Sequence, residues 1–431
     1  MTADAPARRH QTRSVQLAVL VAALGYFVDI YDLILFSVVR VPSLQALGVT
    51  GPALMSDGIR IINFQMIGML LGGIFWGVLG DRRGRLSVLF GSIVLYSLAN
   101  LANAFPDRIA VMLGGTAAPG PGLDAVDVYA WVRFVAGVGL AGELGAGITL
   151  VSESMRRETR GFGTTIVATV GICGAIVAVL VSRAADWRTA YIIGGCLGLA
   201  LLVLRLGVME SGMFASVRAQ KVSRGNFFAL FANGARVRRY LSVILVGVPI
   251  WYVVGVLITF APELGRAMGM SPAPAAPTAV LAVYSGLILG DFGSGFLSQL
   301  MKSRKKVLLG FVLATAVGLA AYFTIGRLSL FAFYAVCVFL GVATGYWAVF
   351  VTVASEQFGT NIRATVTTTA PNFVRGSLVP VTLLFEALRG PLGVSGSALS
   401  VGAMTLVIAL VSLLGLPETY GKDLDYVEPA T

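Results

Sequence analysis

The chain has 431 residues, of which 57% are hydrophobic and 12% are charged, with a formal net charge of +11 and a mean hydropathy of +0.85. A soluble domain carries about 25% charged residues, so this composition excludes a soluble protein and predicts a polytopic membrane protein. The Lys and Arg residues lie in short segments between apolar runs, which argues against a nucleic-acid partner. The one histidine, His10, precedes the first apolar run, and Cys173, Cys196 and Cys337 lie inside such runs. We therefore expect no metal site, no cofactor and no disulfide framework.

The apolar runs predict twelve transmembrane helices. The first run follows Arg8, Arg9 and Arg13 and is too long for a cleaved signal peptide. Each run has the roughly 20 residues that a bilayer crossing needs, and the runs lie near 15–39, 60–80, 86–105, 128–152, 162–183, 188–208, 240–262, 278–301, 306–325, 329–351, 362–388 and 395–416. The longest interruption, 209–239, separates two six-helix bundles at 15–208 and 240–416, and leaves tails at 1–14 and 417–431.

The distribution of Lys and Arg predicts the orientation of these helices. With the N-terminus in the cytoplasm, 22 of the 32 basic residues lie on the cytoplasmic side and 8 lie outside. The largest cytoplasmic group runs from Arg205 to Arg239. Because cytoplasmic loops are enriched in Lys and Arg, we expect both termini in the cytoplasm. We also expect a multi-pass protein of the inner (plasma) membrane that is surrounded by lipid and functions as a monomer.

The two predicted halves repeat each other weakly. Glu153 and Arg160 recur 203 residues later as Glu356 and Arg363. The segment that begins at Gly77 recurs at Gly295, 218 residues later, with Gln299 in place of Asp81. Repeated halves with a binding site at their interface are typical of secondary transporters.

Three segments resemble the major facilitator superfamily. Gly77–Arg85 reads Gly-Val-Leu-Gly-Asp-Arg-Arg-Gly-Arg, which is similar to the superfamily's G-x-L-a-D-r-x-G-R loop between helices 2 and 3. Arg133, Gly137 and Gly139 match the R-x3-G-x-G pattern of its fourth helix. Pro417-Glu418-Thr419 is similar to the end of sugar porters and metabolite:proton symporters. The resemblance covers nearly the whole chain and implies an all-α fold of two pseudo-repeated six-helix bundles, with transport by alternating access.

Two carboxylates in the first span are candidates for proton transfer. An ionisable group at membrane depth costs a few kcal/mol or more, so Asp29 and Asp32 indicate a function. Their three-residue spacing predicts that both lie on one helical face, where two neighbouring negative charges suit a proton carrier. The element resembles the D-G-[YF]-D element of aromatic-acid:proton symporters, with Ile30 in place of Gly. The alternative is that one carboxylate forms a structural pair with an arginine.

Two ionisable residues of the fourth span are candidates for proton coupling. Arg133 lies in its outer half, and Glu143 lies near mid-depth. The family resemblance associates the matching arginine with proton coupling. The alternative is an internal ion pair that holds helices together.

The second half supplies the candidate substrate site. Arg375 lies near mid-membrane between Pro371 and Pro380, which bend or loosen a helix. Its guanidinium suits a carboxylate, although a salt bridge to Asp29, Asp32 or Asp291 is the alternative. Five residues are predicted to bind substrate: Arg375, Asp291, Asn372, Tyr31 and Tyr346. The other central aromatic residues either line the cavity or form the aromatic belt at the membrane interface, and they include Tyr26, Trp251, Tyr252, Tyr284 and Trp347.

A second charged group is predicted at the cytoplasmic side. We expect salt bridges there that hold the inner side closed in the outward-facing state. The gating residues are Asp81, Arg85, Glu153, Arg160, Glu356 and Arg363.

Together these patterns predict a secondary transporter that moves a small metabolite by proton symport, with an organic anion as the expected substrate. A sugar or polyol proton symporter is the first alternative, in which Arg375 is structural. Efflux by antiport comes next, although span five lacks the Gly-Pro pair expected of the antiporter branch. A membrane sensor would need a signalling module that the sequence does not contain. An enzyme is disfavoured by the absence of intramembrane histidine and of a G-x-S-x-G motif.

Overall fold

The computed structural model of the chain describes residues 5–83, 85–143, 160–210 and 227–422, and these residues are mainly helical. The α-helices are α1 (Ala5–Ala46), α2 (Ala53–Arg83), α3 (Arg85–Asn103), α4 (Pro106–Met112), α5 (Ala125–Leu140), α6 (Arg160–Ala184), α7 (Trp187–Glu210), α8 (Gly234–Tyr252), α9 (Ala261–Ala267), α10 (Ala276–Leu300), α11 (Arg304–Thr324), α12 (Leu330–Thr344), α13 (Trp347–Glu356), α14 (Thr360–Gly376) and α15 (Leu378–Gly415). Nine helical segments of the described residues are long and apolar enough to cross a membrane. The predicted all-α membrane fold is confirmed.

Several helix boundaries differ from the predicted ones. α1 begins at Ala5, inside the predicted tail, and α8 begins at Gly234, inside the predicted central loop. α2 continues to Arg83 and α3 begins at Arg85. α15 passes through the predicted boundary between spans eleven and twelve with a kink at Gly393, whose φ of 67° is accessible to glycine.

Three interruptions divide helices in the second half. The chain forms a π-helical turn at Val253–Ile258, directly after α8. α12 ends at Thr344 and α13 begins at Trp347, whereas the sequence predicted one continuous span. α14 contains Pro371 and ends at Gly376. Such interruptions at membrane depth are tolerated where the backbone is buried in protein or borders a cavity.

Glycines hold helices together in the same way in both halves. α2 packs on α5, and α10 packs on α12. A Cβ at Gly68 or Gly137 would collide with a backbone carbonyl of the facing helix, and so would a Cβ at Gly286 or Gly341. The backbones therefore approach closely, as small residues allow in membranes. These contacts lie within each half.

The bundle has two distinct ends, which we name by their residues. The basic end carries the end of α2 at Arg83, the start of α3 at Arg85 and the α10–α11 turn at 301–303. The opposite end carries the end of α1 at Ala46 together with α4 and α9.

At the opposite end, Arg40 joins the two halves. It is completely buried, and its guanidinium donates to Glu263 Oε1 and Oε2 at 2.8 and 2.7 Å. It also donates to the carbonyls of Leu54 and Thr259 and lies 4.6 Å from the ring centroid of Phe260. These contacts connect α1 and α2 to α9 and the residues just before it.

At the basic end, the segment after α15 is attached to the α10–α11 turn. Glu418 accepts hydrogen bonds from the Ser303 hydroxyl and from the backbone N–H groups of Arg304, Thr419 and Tyr420. Partial burial acts to raise the pKa of Glu418, but these hydrogen bonds outweigh it and lower the pKa to about 2.

Candidate functional site

Arg375 lies in the last turn of α14, where that helix gives way to α15. The side chain is 1% exposed. Its Nη2 lies 3.4 Å from Asp29 Oδ2, so the pair connects α14 to α1 across the two halves. Nε and Nη1 have no hydrogen-bond partner among the described residues. A guanidinium carries five N–H donors, and this one is buried with several of them unused.

Four aromatic residues lie near this guanidinium, and with Arg375 we call them the Arg375 box. Trp251 of α8 and Trp347 of α13 each have their ring centroids 5.9 Å from Cζ of Arg375. Tyr26 of α1 and Tyr284 of α10 lie within electrostatic range of the same guanidinium. The box is buried and draws on both halves, at the point where α13 begins and α14 ends.

Asp29 and Asp32 are both completely buried, but they lie in different surroundings. Asp29 pairs with Arg375 through Oδ2, and its Oδ1 has no partner in the described residues. Asp32 lies against α7, where a Cβ at Gly194 would collide with its carboxylate. Neither of its oxygens has a hydrogen-bond partner in that same set. The three-residue spacing therefore places Asp29 between the halves and Asp32 inside the first half.

Arg133 lies close to Asp32 but binds its main chain. Nη2 donates to the Asp32 carbonyl at 3.2 Å, and Nη1 donates to Asn100 Oδ1 at 3.3 Å. Its Cζ lies 5.7 Å from the ring centroid of Tyr191. The guanidinium is completely buried, so Arg133 places a positive charge beside the Asp32 segment of α1.

Glu143 pairs with Arg205 of α7. Both oxygens of Glu143 accept from this guanidinium, and both side chains are buried. This geometry agrees with the alternative of an internal ion pair, with Arg205 as the partner. Arg205 was counted among the cytoplasmic basic residues, although its position inside the apolar run 188–208 was a signal of burial. The pair also fills the space beside Gly25 of α1, where a Cβ would collide with it.

Asp291 is held at the start of α13. Its Oδ1 accepts from the backbone N–H of Ala348 at 3.0 Å, as an acidic group at a helix N-terminus does. Its Oδ2 is buried and has no partner among the described residues. Ala348 directly follows Trp347, whose ring centroid lies 5.9 Å from Cζ of Arg375, so Asp291 lies beside the Arg375 box.

The other three predicted substrate residues each donate a hydrogen bond to a backbone carbonyl. The Tyr31 hydroxyl donates to the carbonyl of Ala190 at 2.9 Å, and the Tyr346 hydroxyl donates to that of Val246 at 3.0 Å. Asn372 donates to the carbonyl of Ala141 at 3.0 Å and so joins α14 to the first half. The phase of each side chain around its helix, which depth alone does not predict, directs these groups into helix contacts. The Tyr31 and Tyr346 hydroxyls are thus used in helix contacts, whereas Oδ1 of Asn372 is buried without a partner among the described residues.

The described residues cover the predicted gate in part. Glu153 lies in 144–159, outside the described residues, and the side chains of Asp81, Arg85 and Arg160 also lie outside the description. Glu356 lies 3.5 Å from Arg304 and accepts from the Thr419 hydroxyl at 2.7 Å. Arg363 donates to the carbonyls of Ser355 and Phe358. Glu356 is thus tied to the segment after α15, a partner that the repeat did not predict.

The sequence matches a known family and known proteins over most of its length. The profile of the Major Facilitator Superfamily matches residues 22–377. A niacin transporter of Acinetobacter baylyi is 27% identical over 70% of this chain and 72% of its own length. A 3-(3-hydroxy-phenyl)propionate transporter of Escherichia coli K12 is 28% identical over 83% of this chain and 81% of its own length.

Solved structures show the same fold. The proton:xylose symporter XylE bound to 6-bromo-6-deoxy-D-glucose superposes with a TM-score of 0.70 at 19% identity, over 96% of this chain and 98% of that structure. A partially occluded inward open conformation of XylE from E. coli gives a TM-score of 0.68 at 19% identity, over 96% of this chain and 100% of that structure.

Proposed function

The chain belongs to the major facilitator superfamily and is a secondary transporter of a small metabolite, and we propose that it is a proton symporter of aromatic carboxylates. The observation that carries the proposal is the buried guanidinium of Arg375, which lies beside two tryptophans and whose Nε and Nη1 have no partner among the described residues. The related transporters named above carry niacin and 3-(3-hydroxy-phenyl)propionate. Both are aromatic carboxylic acids.

The chemistry of the Arg375 box favours an aromatic anion. A carboxylate binds a guanidinium with two parallel hydrogen bonds, and such bonds would satisfy the donors that the 3.4 Å contact to Asp29 leaves unused. Aromatic rings prefer offset or edge-to-face neighbours, which Trp251 and Trp347 offer beside the cation. A sugar has no charge to match a buried cation, so the box supports an organic anion over a sugar or polyol.

Proton coupling follows from competition for Arg375. When a substrate carboxylate takes the guanidinium, Asp29 loses its partner. An unpaired carboxylate is costly at membrane depth, so Asp29 takes a proton as the substrate binds. The anion and the proton then cross together. Asp32, beside Arg133, is the second carboxylate through which we route the proton, and Glu143 with Arg205 supports the helices around it.

The orientation, the membrane and the gate are also part of what we propose. We place the basic end in the cytoplasm of the cell, in the plasma membrane, with the bundles 15–208 and 240–416 as the two moving halves of a monomer. The gate at the basic end is assigned to the six charged residues named in the sequence analysis. The contacts of Arg40 form the counterpart at the opposite end.

Transport by purified protein in liposomes tests the proposal. With an inward proton gradient we expect uptake of radiolabelled benzoate and no uptake of xylose. Arg375→Gln should lower benzoate uptake by about 100-fold, since it removes one partner of a buried charge pair. Arg327→Gln, at an exposed arginine between α11 and α12, is the matched control and should keep wild-type uptake. Gradient-driven uptake of xylose without benzoate would contradict the proposal.

A further inference from the structure

We propose that Asp291 selects substrates that carry a hydrogen-bond donor on the aromatic ring, in addition to the carboxylate that Arg375 binds. This inference rests on the proposed function and adds a second point of recognition to the same site. It makes Asp291 a specificity-determining residue.

The position of Asp291 on α10 directs it into the bundle. Tyr284, Leu287 and Asp291 follow each other at intervals of three and four residues and are all buried, as one face of a helix requires. Leu289 and Phe292, on the other side of α10, are 64% and 49% exposed. The face that contains Asp291 therefore contributes Tyr284 to the Arg375 box.

One oxygen of Asp291 accepts a hydrogen bond at the start of α13. Oδ1 accepts from the Ala348 N–H at 3.0 Å, one residue after Trp347 of the box. The break before α13 makes this possible, because Gly345 lies so close to α10 that a Cβ there would come within 2.5 Å of Gly290 Cα. Asp291 is thus hydrogen-bonded at the helix start that carries Trp347.

The other oxygen is available for a ligand. Asp291 is 8% exposed, and Oδ2 has no hydrogen-bond partner among the described residues. No Lys or Arg of those residues forms an ion pair with it. A buried acceptor without a partner costs free energy, and a donor from the substrate would remove that cost.

The opposite charges of Arg375 and Asp291 then distinguish the two ends of a substrate. Arg375 attracts a carboxylate, whereas Asp291 repels one and accepts from a hydroxyl or N–H group. Asp291 accepts from the residue after Trp347, and the Trp347 ring centroid lies 5.9 Å from Cζ of Arg375, so both residues lie beside Trp347. The site therefore suits aromatic acids with a hydroxyl or amino substituent, oriented with the carboxylate toward Arg375.

Paired ligands test this selection. We would measure the affinities of purified wild-type protein for benzoate, the three hydroxybenzoate isomers and the corresponding methoxybenzoates by titration calorimetry. Hydrogen bonds to charged groups are strong enough that we expect at least one hydroxybenzoate to bind about 10-fold more tightly than both benzoate and its methoxy counterpart. Equal affinities across the series would overturn the inference and leave the proposed function standing. Absence of binding by every one of these carboxylates would overturn both.

The matched variant is Asp291→Asn. It keeps the side-chain oxygen that caps α13 and replaces the free acceptor by an NH₂ donor. We expect the preference for hydroxybenzoate over methoxybenzoate to fall to about one. Asp186→Asn, an exposed cap at the start of α7, should keep the wild-type preference. An unchanged preference in Asp291→Asn would refute the role. If this variant does not fold, the wild-type ligand series decides alone.

Discussion

The contacts of Arg40 provide a quantitative prediction about the equilibrium between molecules whose opposite end is closed and molecules whose opposite end is open. Glu263→Gln keeps the size of the side chain and removes the charge that Arg40 binds at 2.7 and 2.8 Å. The contacts cross the two halves, so they stabilise the state in which the opposite end is closed. When that end opens, both charges return to water and the pair no longer contributes.

The magnitude follows from burial. Arg40 is completely buried, while the side chain of Glu263 is 11% exposed. Removing one partner of a buried pair costs about 3–5 kcal/mol, and the partial exposure of Glu263 favours the lower value. At 1.4 kcal/mol for each factor of ten, about 3 kcal/mol shifts the ratio of open to closed molecules by roughly 100-fold.

Distances between spin labels at the opposite end measure this shift. Met112 and Phe331 are 84% and 85% exposed, one in each half, so Met112→Cys and Phe331→Cys place labels there once the three native cysteines are replaced. Glu263→Gln should enlarge the population with the longer distance. Arg266→Gln is the control, because Arg266 lies 3.9 Å from Glu263 but is 59% exposed. A distance distribution in Glu263→Gln that matches both wild type and the control would refute the reasoning.

Three further predictions concern stability. Because the pKa of Glu418 is lowered to about 2 from 4.5, its stabilising effect is complete above about pH 4.5 and is lost as the pH falls toward 2. The difference in melting temperature between wild type and Glu418→Gln should therefore be constant from pH 8 to 6 and shrink below pH 4.5. Gly137→Val should destabilise the first half by about 1–3 kcal/mol, because the valine side chain would meet the backbone of α2. Gly310→Ala is the control: Gly310 has open space around it, so this variant should not lower the melting temperature. Glu143→Gln leaves the buried guanidinium of Arg205 unpaired and should lower the free energy of unfolding by about 3 kcal/mol. Replacing Arg205 by Met in the same protein should recover part of the loss. Equal melting temperatures of wild type and Glu143→Gln would contradict the pairing.

The features that the sequence predicts well are those set by hydropathy along the chain. The all-α fold follows from the apolar runs, and the depth of Arg375 follows from its place within one of them. Pro371 and Pro380 correctly indicated an interruption near Arg375, because proline removes a backbone donor. The break before Trp347 was missed, since Gly345 and Tyr346 carry no such signal in isolation.

The features that the sequence does not predict depend on contacts between distant helices. Arg40 and Glu263 are 223 residues apart, and each looks like an ordinary loop residue in the sequence. Asp29 was predicted to face the same way as Asp32, but the 60° between two such positions on a helix is enough to turn one toward α14 and the other toward α7. Tyr31 and Tyr346 were chosen by depth, and depth does not report the direction of a side chain around its helix. Both hydroxyls donate to backbone carbonyls.

The central claim is that a substrate carboxylate replaces Asp29 at Arg375 and that Asp29 then takes a proton. The most direct test is the affinity for an aromatic carboxylate, measured by titration calorimetry from pH 5 to 8 in wild type and in Asp29→Asn. Wild-type affinity should rise as the pH falls, because protonation of Asp29 releases the guanidinium. Asp29→Asn should bind tightly at every pH, with a flat profile. A profile in Asp29→Asn that keeps the wild-type slope, or a loss of binding in a folded Asp29→Asn protein, would contradict the claim.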